Sequence, residues 1–172
     1  MSFGILPNGR MDFRFFVIVK YIVNRQQGWL VSSLKSATLT LSVAIPLAIM
    51  LGSLFPGAQT FDVNPLNDWF FLVFFGPLVE TFILTGIMLL LKLVSKDPMT
   101  KCLISVVIWA VIHGVSFPIQ GVVNFFNFLM FSIVFLVWQE KSFWTGFNMT
   151  LLVHVLHNSG VFVVVMASES FF

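Results

Sequence analysis

Four polar residues stand in stretches of the chain otherwise suited to hydrocarbon: Glu80, His113, His154 and Asn158. Carboxylate and imidazole groups take up and release protons. Placing them in lipid costs several kcal/mol, so an ionisable residue within a membrane span generally faces the bundle interior and serves a function. Glu80 lies twelve residues from Lys92, His113 twelve from Lys101, and His154 thirteen from Lys141. Counted inward from those basic residues at 1.5 Å per residue, all three sit roughly 18–20 Å deep, slightly past the middle of a hydrocarbon core of about 30 Å. Three helices can meet there. Asn158 follows His154 by four residues and shares its helical face, whereas His157 lies about 60° away on the wheel. His157 therefore reads as structural, and Asn124, Asn127 and Asn148 as interhelical hydrogen-bonding groups.

The elements that must position this cluster are membrane helices. The 172 residues are 58% hydrophobic and only 9% charged, with 22 Phe and a mean hydropathy of +0.99, against roughly 25% charged residues in an average soluble domain. The length suits a single membrane domain over residues 1–172. The fold class expected is an all-α bundle of about five transmembrane helices, with spans at 36–55, 69–91, 102–117, 119–138 and 143–167. Ahead of them, residues 11–25 mix apolar side chains with Arg14, Lys20 and Arg25 and suit an amphipathic helix lying on an anionic membrane surface. Lys20 interrupts the apolar stretch and no small-residue cleavage pattern follows, which argues against a cleaved signal peptide. Cys102 is the only cysteine, so cysteine redox chemistry and disulfides within the chain drop out. The Phe-rich runs at 70–75 and 125–131 read as lipid-facing or packing surface.

With five spans, all nine basic residues fall on one side and Asp62, Asp68 and Glu169 on the other. The positive-inside rule then places the N-terminus in the cytoplasm and the C-terminus outside, a pattern that fits a bacterial inner membrane. Trp29, Trp69, Trp138 and Trp144 fall at the expected interfaces, as an aromatic belt requires.

Three short patterns also occur in order on separate spans. Pro77-Leu78-Val79-Glu80-Thr81-Phe82-Ile83-Leu84-Thr85-Gly86 resembles the first signature of the CPBP family, the CAAX prenyl endopeptidases and bacteriocin-processing enzymes, written E-E-x-x-x-R followed by Gly. It matches at Pro77, Glu80 and Gly86. Trp109-Ala110-Val111-Ile112-His113 resembles the second, F-x-x-x-H, with Trp for Phe, and His154-Val155-Leu156-His157-Asn158 matches the third, H-x-x-x-N. Thr81 stands where the family has a second Glu and Thr85 where it has Arg. Losing one member of a buried ion pair strands a charge, whereas losing both together can be nearly neutral.

The resemblance implies an intramembrane endopeptidase that hydrolyses a peptide bond in or near the membrane. Glu80 would be the general base that activates water, with His113 holding the water or shuttling a proton. His154 and Asn158 would donate to the oxyanion, at around 3 kcal/mol per donor. Expected partners are membrane lipid and a peptide or membrane-protein substrate, and nucleic acid is not expected. Family members are often described as metalloproteases, and a zinc ion here would take Glu80, His113 and His154 as a His₂Glu set. The metal-free version is preferred, since H-E-x-x-H is absent and neither His has a carboxylate nearby in sequence to orient it. The alternative is a non-catalytic family member acting as a membrane binding or immunity protein, which Thr81 and Thr85 favour. A proton-linked transporter is a third class, against which the lack of an internal repeat counts.

Overall fold

The computed structural model describes Val23 and residues 25–57 and 65–169. Apart from Val23 and Arg25, the interfacial helix expected over 11–25 lies outside them. A 3₁₀ turn at Arg25–Gln27 leads into α1 (Trp29–Leu54). There follow α2 (Pro65–Phe70), a π-helical turn (Phe71–Phe75) and α3 (Gly76–Val94), which run on without a break. The bundle is completed by α4 (Pro98–Gly114), α5 (Pro118–Trp138) and α6 (Phe143–Glu169).

Four of these stretches are long and apolar enough to cross a membrane: Trp29–Leu54, Asp68–Val94, Pro118–Trp138 and Phe143–Ala167. The chain is thus an all-helical integral membrane protein. The third expected span corresponds to α4, a helix of 17 residues, about 25 Å long against a core of about 30 Å.

The helix boundaries follow from local chemistry. The Asp97 carboxylate accepts from the backbone N–H of Thr100 at 2.6 Å, and Pro98 takes the first helical position, so α4 starts four residues before the expected 102. It ends at Gly114, three residues short of 117. Pro118 opens α5 in the same way. At the head of α6 the Ser142 hydroxyl accepts from Thr145 N–H at 3.0 Å. The first span also begins earlier than the charge pattern suggests, at Trp29 instead of Ser36. Lys35 is accommodated inside α1 because its long side chain runs back along the helix, where Nζ donates to Gln27 Oε1 at 2.7 Å.

Packing places α5 at the centre, touching α1, α3, α4 and α6. Its residues 130–138 are all buried. The inward face of α1 is built from Ser32, Ser33, Ser36, Ala37, Thr40 and Ala44. Small residues let helix backbones come close. The hydroxyls of Ser33, Ser36 and Thr40 donate to carbonyls of their own helix at 2.8 Å, so they bring no unpaired donor into the contact. Leu90, Leu93, Val115 and Val163 are exposed, as expected where lipid is the solvent.

The α4–α5 hairpin carries His113 and brings two backbones close together. A Cβ on Gly121 would come within 2.7 Å of both Gly114 Cα and the Ala110 carbonyl oxygen. Both obstacles are backbone, so neither can swing aside. Gly121→Val is therefore expected to destabilise the bundle by at least the ~1–3 kcal/mol of overpacking. A lowered Tm in detergent checks this, with substitution of the exposed neighbour Val122 by Leu expected to leave Tm unchanged.

Candidate active site

The site begins at the π-helical turn. Gly76 N–H donates to the Phe71 carbonyl, five residues back, where an α-helix would use a carbonyl four residues back. Two neighbours in sequence account for the switch. Pro77 has no N–H, and its ring crowds the carbonyl four residues before it. Gly76 tolerates the result, since a Cβ there would lie 2.9 Å from Phe71 O. The turn's own phenylalanines, Phe71, Phe74 and Phe75, point outward, in keeping with a lipid-facing surface. Glu80 follows within the first turns of α3.

The structure brings Glu80, His113 and His154 together from α3, α4 and α6. Nε2 of His113 lies 3.6 Å from Glu80 Oε1, and Nε2 of His154 lies 3.3 Å from Glu80 Oε2. Each carboxylate oxygen therefore faces its own imidazole. The Glu80 side chain is 31% exposed and the His154 side chain 5%, so the acid opens to the cavity while its partner is buried. His113 Nδ1 donates to the Trp109 carbonyl at 3.0 Å. A carbonyl only accepts, so this nitrogen holds a proton, and a neutral His113 keeps an Nε2 lone pair on the Glu80 side that takes a hydrogen from a water or from the protonated acid, not from the carboxylate. The Thr81 hydroxyl lies 3.5 Å from His154 Nδ1. With that hydroxyl donating, Nε2–H of His154 donates to Glu80. Of the two flanking imidazoles, His154 then donates to the Glu80 carboxylate, while His113 holds an acceptor beside it for a hydrogen that a water supplies.

Aromatic rings hold these imidazoles in place. Trp109 is stacked on Phe128 at 4.1 Å, Phe128 lies 5.2 Å from the His113 ring, and Phe131 lies 4.3 Å from His154. Phe128 and Phe131 are thus site residues within a run that reads as packing surface. Their spacing of three along α5, one helical face, is the signal available in sequence. Thr81 and Thr85 are both buried, and the Thr85 hydroxyl donates to Thr81 O at 2.9 Å. No uncompensated charge remains where the two family charges are missing.

Asn158 lines the same cavity of about 550 Å³ as Glu80, His113 and His154, but its side-chain amide is engaged. Nδ2 donates to the Leu72 carbonyl in the π turn at 2.7 Å. His157 bonds to two other helices: Nδ1 to Thr40 Oγ1 at 3.0 Å and Nε2 to Asn127 Nδ2 at 3.2 Å. The Asn127 amide can only donate, which leaves Nδ1–H to donate to Thr40. This is the interhelical role expected for His157 and Asn127. Asn124 instead accepts from Asn127 within α5, and Asn148 is exposed on the outside of α6. Trp138 also departs from the aromatic belt: it is buried, with Lys141 Nζ 4.7 Å from its ring centroid. Trp29, Trp69 and Trp144 are exposed as expected. Among the described residues, no three His, Cys, Asp or Glu side chains form a metal-binding group. The two imidazoles are paired with separate oxygens of Glu80 instead.

Fold and site together define a helical membrane protein with a carboxylate set between two imidazoles inside the bundle. The family description of the type II CAAX prenyl endopeptidase Rce1-like proteins matches residues 62–160, more than half of the chain and all of the site. The chain belongs to this Rce1-like family. No curated protein and no solved structure matches it.

The bonding of His157 gives a direct test of its structural role. His157→Leu removes the acceptor of Asn127 and the donor to Thr40 while leaving Glu80, His113 and His154 in place. A stability loss of about 1–3 kcal/mol is expected for the Asn127 N–H left unpaired while the other N–H stays on Asn124, read as a lower Tm in detergent. Asn127→Leu should cost less in this background than in the parent protein, because the two losses share the hydrogen bond between His157 and Asn127.

Proposed function

We propose that the protein is an intramembrane endopeptidase of the CAAX-protease type. The observation that supports this most directly is Glu80 held between His113 and His154 at 3.6 and 3.3 Å on the wall of a cavity large enough for a peptide segment.

In this reading a water in the cavity gives a proton to the Glu80 carboxylate as its oxygen attacks the carbonyl carbon of the scissile peptide bond. His113 orients that water, because its Nε2 lone pair accepts the second hydrogen while Nδ1–H is fixed on Trp109. Once Glu80 has taken that proton it is a weaker acceptor, and the Nε2–H of His154 passes from the carboxyl to the oxygen that becomes the oxyanion. Collapse of the tetrahedral intermediate breaks the C–N bond, and the proton held by Glu80 passes to the departing nitrogen. Substrate and water would meet near the outer end of α4, with the N-terminus of the chain cytoplasmic and the protein resident in a bacterial inner membrane. No step uses a metal.

The uncharged Thr81 and Thr85 favour a second reading, a binding or immunity protein that keeps the family scaffold without its reaction. Glu80→Gln separates the two. Cleavage of membrane peptides by the reconstituted protein should fall by roughly 10²-fold or more, with Tm close to that of the parent protein and with tight chelators leaving the parent's rate unchanged. A Glu80→Gln protein that cleaves as fast as the parent would exclude the endopeptidase.

A further inference from the structure

The π turn and Asn158 meet at a single backbone atom. In the π register set by Gly76 N–H to Phe71 O, the next hydrogen bond would run from residue 77 to the Leu72 carbonyl. Residue 77 is proline and has no N–H. The donor that an α-helix would offer to Leu72 O is Gly76 N–H, which is already engaged on Phe71 O. The helix therefore leaves Leu72 O without a partner of its own. At membrane depth an unsatisfied carbonyl costs several kcal/mol, because lipid offers no donor. Asn158 Nδ2 fills the vacancy from α6 at 2.7 Å.

Both ends of this bond line the cavity that holds Glu80 and His154. Leu72 lies eight residues, about two turns, before Glu80 on the continuous helix, and His154 is one turn before Asn158 on the same face of α6. A bond between Leu72 and Asn158 therefore ties α6 to the turn that leads into α3, one turn from His154 and about two from Glu80, and so limits how far the helices that carry the 3.3 Å contact can shift.

We propose that Pro77 and Asn158 are a coupled pair of positioning residues: the proline creates an orphan carbonyl at Leu72, and Asn158 occupies it, locking α6 to the start of α3. This assigns Asn158 a task other than donating to the oxyanion. Only its effect on turnover rests on the endopeptidase reading.

A double-mutant cycle on the full chain tests the pairing. Asn158→Leu removes the donor, and Pro77→Ala supplies a backbone N–H that can bond within the helix in its place. Asn158→Leu should lower Tm in detergent by about 3 °C or more in the parent, and by less than half as much in the Pro77→Ala background. Equal losses in both backgrounds overturn the pairing. If Asn158→Leu alone yields no folded protein, recovery of folded protein in the double variant supports the pairing, and failure in both overturns it. For turnover of a membrane peptide, Asn158→Leu should reduce kcat about tenfold or more with KM little changed, and Pro77→Ala should restore most of that loss. A kcat loss that Pro77→Ala leaves untouched overturns the positioning role and returns Asn158 to the oxyanion. A protein that cleaves no membrane peptide sinks the endopeptidase reading, while the Tm cycle still decides the pairing.

Discussion

A carboxylate inside a membrane bundle has to be given partners, and much of this structure follows from how Glu80 receives them. Neither lipid nor an apolar core solvates an acid, so the imidazoles of His113 and His154 must arrive from two other helices at one depth. That requirement fixes where α4 ends, because His113 is its penultimate residue. It also requires α5 to run through the middle of the bundle, since Phe128 and Phe131 are the surfaces against which both imidazoles rest. The close crossing at Gly114 and Gly121 follows from the same demand.

Polar groups in the bundle sort into two sets. His157, Asn127 and Thr40 form a chain that joins α6, α5 and α1, in which both nitrogens of His157 are bonded. It behaves as a fastening. Glu80, His113 and His154 form a looser set, with separations of 3.3–3.6 Å and the acid partly open to a cavity. In the endopeptidase reading Glu80 has to exchange protons with a substrate, so it cannot be saturated by its neighbours, whereas groups that only hold helices together gain from being paired.

Much of this was legible in the sequence, and the limits were physical. Counting residues inward from Lys92, Lys101 and Lys141 was enough to bring Glu80, His113 and His154 together, because α-helical rise is constant and the basic residues mark one membrane edge. Which neighbour each polar group meets depends on helix adjacency and rotation, which depth does not carry. His157 could thus be recognised as structural without Thr40 being named as its partner, and Asn148 could be expected inside the bundle when it lies outside. Lys35 ended the expected first span because charge alone does not reveal that a long side chain can run back to Gln27. The π turn was hidden for a different reason. Gly76-Pro77 announces an irregularity, but its hydrogen-bond register is decided only when the backbone on the other side of the contact is in place.

The shortness of α4 bears on the membrane as much as on the protein. A helix about 25 Å long beside longer neighbours cannot match a hydrocarbon core of about 30 Å. The acyl chains alongside it must shorten, or the headgroups must dip to meet Gly114. Either adjustment draws the water boundary down toward the end of the helix that carries His113. Hydrophobic mismatch at one helix thus makes bilayer thickness a determinant of how wet the carboxylate is, and acyl-chain length a physical variable of the site itself.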